Sequence, residues 1–257
     1  MRRAALALAL LAASCSGPAH SAAGSGKPAK GAEEDYVAGE AELKDRNWLE
    51  AQKLFERIRT KYPFSKYAAL AELRLADARY AQDKFIEAAD GYQQFVKLHP
   101  NHEEVDYAAF RVGLCRYKDA PTEFALFPPA YERDNTSLAA AVTAIESFIK
   151  AYPQSKYAPD AKKLLADAQG RFADREWYVA QFYVKRGRWP GVAGRLERLL
   201  KDYPGSSHET EALLQLARTY LEMKERFRAQ KALQQLIVKY PQDPRRPEAE
   251  KLLASIR

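Results

Sequence analysis

Few side chains in this 257-residue chain are suited to metal binding or covalent chemistry: it has four histidines and two cysteines. His99 and His102 lie three residues apart, but Pro100 separates them and no third ligand is evident. We therefore predict no metal site and no cofactor. The sequence also lacks a glycine-rich phosphate loop, a cysteine pair at zinc spacing and a Gly-x-Ser-x-Gly turn. These observations predict that the protein is not an enzyme.

The two cysteines lie a hundred residues apart, so no disulfide framework is predicted. Cys115 follows the apolar segment Phe110-Arg111-Val112-Gly113-Leu114, which has the spacing of a helix face. A cysteine in such a segment behaves as a small buried hydrophobe. We expect Cys115 to be a packing residue and not a reactive thiol.

The N-terminal residues have the layout of an export signal. Arg2 and Arg3 precede an apolar run at residues 4–13, and small residues follow. The run has ten residues, about half of the roughly 20 that a membrane-spanning helix needs. We therefore expect a secreted chain and exclude integral transporters and channels.

Cys15 lies at the end of this signal, in the stretch LAASC at residues 11–15. The stretch resembles the lipobox of bacterial lipoproteins, although Ala12 stands where that pattern prefers Leu, Val or Ile. The resemblance implies that residues 1–14 are a signal peptide that is removed and that Cys15 is the site of lipidation. The alternative is an ordinary signal peptide cut near residues 21–23.

Residues 15–32 contain only small residues, proline, lysine and one histidine after the cysteine. Without large apolar side chains such a segment cannot pack, so we predict a flexible leash that holds the folded part at a membrane. Ser16 replaces the aspartate that signals inner-membrane retention in many proteobacterial lipoproteins. By that resemblance, the expected location is the periplasmic side of the outer membrane, with the membrane contact made through the lipid anchor.

An aromatic residue or histidine followed by proline recurs five times, at Tyr62-Pro63, His99-Pro100, Tyr152-Pro153, Tyr203-Pro204 and Tyr240-Pro241. Twelve positions before each proline lies a small residue or valine: Ala51, Ala88, Ala141, Val192 and Ala229. Eight positions before it lies a large one: Phe55, Tyr92, Ile145, Leu196 and Leu233. Small residues let paired helices approach, large ones fill the space between them, and proline ends the second helix. The pattern predicts an all-α tetratricopeptide-repeat (TPR) solenoid of about five helix-turn-helix repeats.

The spacing of the repeats predicts two blocks. Residues 33–155 form an N-terminal block of three repeats with an insert at 119–135, which is rich in proline and aromatic residues. Residues 156–257 form a C-terminal block that begins with a long helix at 158–187 and continues with two repeats and a capping helix.

Three stretches, at residues 62–67, 98–113 and 157–204, resemble the BamD family, the TPR lipoproteins of the outer membrane β-barrel assembly machinery. The insert after the His-Pro-x-His motif and the long helix behind it are the more specific features. The resemblance implies a lipid-anchored scaffold that binds the POTRA domains of the barrel-inserting subunit, other assembly lipoproteins and unfolded outer membrane proteins.

In that family the POTRA contact involves the C-terminal repeats and an arginine matched by Arg195, whose guanidinium suits a partner carboxylate. The candidate partner-binding residues are Arg188, Trp189, Arg195 and Arg198. The alternative is that Arg195 is an arginine on a solvated helix surface. The helix that carries them is expected to begin late, because three residues in it are poor helix formers: Pro190, Gly191 and Gly194.

Substrate recognition in the family is attributed to the groove of the N-terminal repeats. An aromatic set in those repeats is the candidate lining of a peptide groove: Tyr36, Tyr62, Phe64, Tyr67 and Tyr80. For any one of them, packing in the core is the alternative.

The net charge of +7 is unevenly distributed, since residues 185–257 hold 16 Lys and Arg against 9 Asp and Glu. An acidic protein partner or anionic lipid headgroups fit this basic block, and solvated helix faces are the alternative. Nucleic acid is not predicted as a partner of an exported protein. Two other functions remain open at this point, a Tol-Pal-type or other envelope TPR adaptor and a helical lytic enzyme acting on peptidoglycan.

Overall fold

The computed structural model describes residues 28–121 and 133–256, which form helices joined by turns, with no strand among them. Each helix packs against the next helix in the chain. The helices are α1 (Pro28–Lys44), α2 (Trp48–Lys61), α3 (Lys66–Ala81), α4 (Phe85–Leu98), α5 (Val105–Asp119), α6 (Thr136–Ala151), α7 (Ala158–Val184), α8 (Trp189–Asp202), α9 (Glu209–Glu222), α10 (Arg226–Lys239) and α11 (Arg246–Ser255). Helices α1 to α10 form five pairs and α11 covers the last pair, so the predicted TPR solenoid is confirmed.

The repeat register is also confirmed. In every pair, the aromatic residue or histidine before the repeated proline is the C-terminal cap of the second helix. Its backbone N–H still bonds to the carbonyl four residues earlier, and the proline that follows cannot extend that pattern because it has no N–H. The small residues of the register are fully buried, and the large ones are at most 1% exposed.

Four turns within the pairs share one geometry, in which the residue two positions before the second helix has a positive φ. These residues are Arg46 (63°), Asp83 (59°), Gly187 (63°) and Lys224 (61°). The left-handed conformation reverses the chain quickly, at a cost of about 1–2 kcal/mol for a non-glycine residue. At Gly187 the turn explains why α7 ends at Val184 and not at the expected residue 187. The turn of the remaining pair, α5–α6, contains residues 122–132 of the predicted insert, which lie outside the described residues.

Helix α1 begins earlier than expected. Residues 28–32 were predicted to belong to the leash, but they form the first turns of α1, and Ala32 is fully buried beside Phe55 and Ile58. A Cβ on Gly31 would lie 2.5 Å from the Oη of Tyr62. The leash prediction is therefore wrong for these residues, because Gly31 and Ala32 are small enough to let α1 approach α2. Residues 15–27 of the leash lie outside the described residues.

Helix α8 also begins earlier than expected. Its first residue is Trp189, and Pro190 lies in the first turn, where a missing N–H costs no hydrogen bond. Gly191 lies against the ring of Tyr183 on α7, where a Cβ would be 3.2 Å from the ring carbons. The prediction of a late start is wrong because these two residues suit a helix start that is packed closely on α7.

Helix α7, 27 residues long, belongs to both predicted blocks. Ala161 and Ala168 in its first half are buried with residues of α6. Ala173 and Ala180 in its second half are buried with Val192, Leu196 and other residues of α8. The two blocks therefore share one continuous helix.

Candidate binding surfaces

Cys15, the predicted lipidation site, lies outside the described residues. Among the helices of residues 28–121 and 133–256, none has the length and apolarity required to cross a bilayer. The same ranges contain no group of three or more His, Cys, Asp or Glu side chains placed to hold a metal ion.

Three of the five candidate groove residues lie together at the first two pairs. The rings of Tyr36 on α1 and Tyr67 on α3 are 5.3 Å apart, and Tyr36 also contacts Phe55 at 5.8 Å. Tyr62 packs on the same apolar cluster, whose buried members include Phe55 and Ile58. Because all three rings are partly exposed, the cluster has an aromatic surface as well as a core.

The other two candidates lie apart from this cluster and from each other. Phe64, in the turn between α2 and α3, is fully exposed. Tyr80 lies at the other end of α3, where its ring contacts Phe85 at 5.4 Å and the guanidinium of Arg111 on α5 lies 3.7 Å from its centroid. The structure thus divides the five residues into a three-tyrosine cluster, an isolated exposed phenylalanine and a tyrosine–arginine contact.

A polar network that the sequence analysis did not find joins α3, α4 and α5. The carboxylate of Asp77 accepts hydrogen bonds from the hydroxyls of Tyr92 and Tyr107, the second at 2.7 Å, and from Arg74 at 2.7 Å. Arg111 donates from Nε to the hydroxyl of Tyr92 at 3.1 Å. Burial and the negative charge of Asp77 raise the pKa of both tyrosines, so the hydroxyls stay protonated and donate. We call these five residues the Asp77 network.

Cys115 lies beneath this network on α5 and is fully buried, which confirms the expectation of a packing residue. Burial raises the pKa of its thiol to about 12, so the thiolate needed for nucleophilic chemistry is not populated at neutral pH.

The first helices of neighbouring pairs contact each other, α1 with α3 and α5 with α7. A cavity of about 400 Å³ lies between α5 and α7. Its lining combines three apolar side chains with two carboxylates and one lysine: Phe110, Leu114, Leu164, Asp160, Asp167 and Lys163. A larger groove of about 590 Å³ lies between α4 and α6, with α5 as its floor and mostly apolar walls.

At the C-terminal block, Arg195 on α8 points toward α7. Its Nη1 lies 3.1 and 3.3 Å from the two carboxylate oxygens of Glu176. Arg198, one turn later, places its own Nη1 3.7 Å from the same carboxylate, beyond hydrogen-bond distance. Glu176 is only 7% exposed. Two arginines therefore share one buried carboxylate, and this trio of residues has a net charge of +1.

The remaining two candidates differ in exposure. Trp189 is partly buried against the apolar core formed by Val192 and Leu196, so most of its ring serves packing. Arg188 precedes α8 and is exposed, and its backbone N–H bonds to the carbonyl of Tyr183 at 3.1 Å. Arg188, Arg195 and Arg198 are thus the candidates whose charges reach solvent.

Sequence reasoning missed Glu176, and one signal could have found it. It is the acidic residue in the series Ala173, Glu176, Ala180, which lies on one face of α7. A carboxylate on a stripe of small packing residues needs a cation to compensate its burial.

Comparisons with known proteins show a matching family and several curated relatives. The family model YfiO, described as an outer membrane lipoprotein, matches residues 28–236. Among solved structures, the TPR2AB domain of yeast Sti1 in a complex with pHSP90 aligns with a TM-score of 0.45 and 14% identity, covering 88% of this chain and 82% of that chain.

Curated relatives include the outer membrane protein assembly factor BamD of Xylella fastidiosa (strain 9a5c), 29% identical over 205 residues, which covers 79% of this chain and 70% of the relative. BamD of Neisseria gonorrhoeae is 27% identical and covers 81% of this chain and 79% of the relative. BamD of Vibrio cholerae (strain El Tor Inaba N16961) is 28% identical and covers 69% and 75%. The match of the family model to most of the chain, together with these relatives, shows that this protein belongs to the YfiO, or BamD, family of outer membrane lipoproteins.

Proposed function

We propose that this protein is a lipid-anchored adaptor for outer membrane protein assembly. In this proposal the C-terminal repeats bind the POTRA domains of the barrel-inserting subunit, and the N-terminal repeats receive unfolded outer membrane proteins. The relatives are named as outer membrane protein assembly factors, and the family match extends over both blocks. The protein acts by binding, with no catalytic step.

The observation that carries the proposal is the trio of Glu176, Arg195 and Arg198. Its surplus positive charge lies on the basic C-terminal block, and Arg198 is 55% exposed. An acidic side chain on a partner would neutralise that surplus by charge-assisted hydrogen bonds. This chemistry supports a protein partner with a carboxylate at the contact, as the resemblance of Arg195 to the family's arginine implies.

The N-terminal repeats offer two features suited to extended polypeptide. The cavity between α5 and α7 is lined by three apolar side chains, two carboxylates and one lysine, and the exposed Phe64 lies at the turn between α2 and α3. Apolar side chains of an unfolded protein would bind such surfaces with little sequence preference, because the hydrophobic effect is not directional. Other assembly lipoproteins are further partners in this proposal.

The location follows from Cys15 in the proposal. Acylation of this residue would attach the protein to the periplasmic side of the outer membrane, and residues 15–27 would connect the anchor to α1. Replacement of Cys15 by Ala in the full-length chain should release the protein from the membrane fraction. Continued membrane attachment of the Cys15→Ala chain, with no fatty acid incorporated, would contradict the anchor.

Site-specific photocrosslinking in native membranes tests the partner. Gly194 is the position of choice for the crosslinking residue, because a Cβ there meets no atom within 4 Å and Arg195 is its neighbour. Ile86 on α4, 45% exposed, is the control position. We expect an adduct with the POTRA-bearing barrel protein from position 194 and none from position 86. Adducts with only Tol-Pal or peptidoglycan-associated proteins would favour a different envelope role and reject this one.

A further inference from the structure

We infer that Glu176 is a positioning residue: it holds Arg195 by one nitrogen so that the other edge of the guanidinium faces the partner's carboxylate. The inference rests on the proposed function and assigns the residue that prepares its contact.

The geometry shows a single point of attachment. Both hydrogen bonds from Arg195 to Glu176 start at Nη1, at 3.1 and 3.3 Å from the two carboxylate oxygens. No bond from Nε or Nη2 of Arg195 occurs within the described residues. Those two atoms form the side of the guanidinium that can donate two parallel hydrogen bonds to a carboxylate. Glu176 therefore uses one end of Arg195 and leaves its bidentate edge available.

The burial of Glu176 makes this attachment firm. Glu176 lies on α7 between Ala173 and Ala180, which are buried against α8, and only 7% of the residue is exposed. A carboxylate with little access to water depends on its cations, so Arg195 is held where Glu176 places it. An arginine fixed before binding loses less side-chain entropy when the partner arrives.

The charge balance points to an acidic group as the partner. Glu176 is shared by Arg195 and Arg198, whereas on the opposite side of α8 the ratio is reversed. There, Arg228 is shared by Glu197 and Glu225. The first group therefore has two arginines for one carboxylate, and the second has two carboxylates for one arginine. A carboxylate from the POTRA partner would complete the first group, and Glu197 supplies a matched control.

The test uses the full-length chain in native membranes with the crosslinking residue at position 194. Glu176→Gln keeps the shape of the side chain and removes its charge, and we expect the yield of the POTRA adduct to fall about tenfold, the effect of losing one charge-assisted hydrogen bond. Glu197→Gln is the same chemical change on the other side of α8 and should leave the yield unchanged. Arg195→Lys should lower the yield as Glu176→Gln does, because an ammonium group cannot form the bidentate contact.

Glu176→Asp separates positioning from simple stability. It keeps the charge but shortens the reach, so the yield should recover part of the loss seen with Glu176→Gln. Thermal unfolding of each purified variant shows whether the helices are retained. If Glu176→Gln does not fold, Arg195→Lys and Glu176→Asp carry the test, and wild-type yields from both would overturn the inference.

The outcomes distinguish the inference from the function on which it rests. An unchanged yield in folded Glu176→Gln would show that Glu176 does not present Arg195 to the partner. A higher yield would show that Glu176 competes with the partner for Arg195. In both cases the POTRA contact itself would stand. Absence of the POTRA adduct from the unsubstituted chain would reject the proposed function itself.

Discussion

The N-terminal and C-terminal repeats share one register but fill it with different side chains. The large buried residues of helices α2 to α6 include four aromatic ones, Phe55, Tyr92, Phe95 and Phe148, beside aliphatic residues such as Ile58 and Ile145. Those of α8 to α10 are mostly leucines, with Tyr220 as the buried aromatic residue: Leu196, Leu199, Leu213, Leu233 and Leu236. Both sets satisfy the same helix-pair geometry, so the repeat constrains side-chain size and spacing more than chemical type.

The difference has an electrostatic consequence. Tyr92 places a hydroxyl in the interior of the N-terminal repeats, and Asp77 is needed there to accept its hydrogen bond. Leucines make no such demand, and in the C-terminal repeats Arg218 and Glu248 pair at the surface. Tyr220, whose hydroxyl donates to Glu197, and the buried Glu176 and Glu209 are the exceptions there. Loss of the Asp77 carboxylate should therefore cost far more than loss of a surface charge such as Arg218.

The largest effect is expected from Asp77→Ala. This substitution leaves the hydroxyls of Tyr92 and Tyr107 without their acceptor and removes one of the two carboxylates paired with Arg74, and we expect a loss of about 3–5 kcal/mol in the free energy of unfolding. Asp90→Ala breaks the pair with Arg116, but Asp90 is 64% exposed, so its cost should be about 1 kcal/mol or less. Urea unfolding measures both, and equal losses would remove the distinction between a carboxylate inside a hydrogen-bond network and an exposed one.

The next largest effect on stability is expected from a substitution that disturbs helix packing in the N-terminal block. A Cβ on Gly113 would lie 2.5 Å from Cγ1 of Ile145, so Gly113→Ala forces α5 and α6 apart and should cost about 1–3 kcal/mol. Gly170, inside α7, has no atom within 4 Å of an added Cβ, and Gly170→Ala should stabilise the protein by about 1 kcal/mol. Thermal unfolding compares the two, and a neutral Gly113→Ala would contradict the close contact of α5 with α6.

Glu209 sharpens the comparison, since it is, like Glu176, a buried carboxylate packed with the leucine-rich repeats. Burial acts to raise its pKa, but hydrogen bonds from Lys239, Tyr240 and the backbone N–H of Gly205 outweigh burial and lower it. A lowered pKa in the folded state means that Glu209 stabilises the fold above the ordinary glutamate pKa and that this stabilisation is lost on acidification below it.

Glu209→Gln should therefore cost about 2 kcal/mol at neutral pH and flatten the acid side of the stability profile. Chemical unfolding at a series of pH values from neutral to strongly acidic provides the measurement. A variant whose stability falls with acid as steeply as that of the wild type would show that other groups cause the loss.

The smallest effect is expected at the surface of the C-terminal repeats. Arg218 and Glu248 are both about half exposed, and Arg218→Ala should change the free energy of unfolding by about 0.5 kcal/mol or less, with most of that effect screened at high salt. A loss several times larger, measured by urea unfolding, would mean that this ion pair behaves like the buried Asp77 network.

The repeats and their register could be predicted from the sequence because they depend on residues at fixed short spacings. Tyr62-Pro63 and its four counterparts mark helix ends, and Ala51 and Phe55 mark the contact between helices. The early start of α1 could not be predicted in this way, because glycine and alanine indicate a leash and a close helix contact equally well. Only the position of Tyr62 above Gly31 decides between them.

The charged clusters were beyond sequence reasoning for a different reason. Asp77 and Tyr107 are thirty residues apart, and Glu176 and Arg195 are nineteen apart. Nothing in the local pattern says which of many charged residues meet across helices. The sequence singled out Arg195 through a resemblance, and the structure shows the carboxylate with which it pairs.

Helix α7 sets a fixed distance between the two blocks of repeats. It packs with α6 at one end and α8 at the other, and its 27 residues extend over about 40 Å without a flexible joint. Two ligands bound on either side of α7 would therefore be held at a set separation. The effective concentration of one ligand at the site of the other would depend on the length of this helix, and not on the conformational entropy of a flexible linker. Insertion of residues into α7 would change that separation by 1.5 Å and its orientation by about 100° per residue.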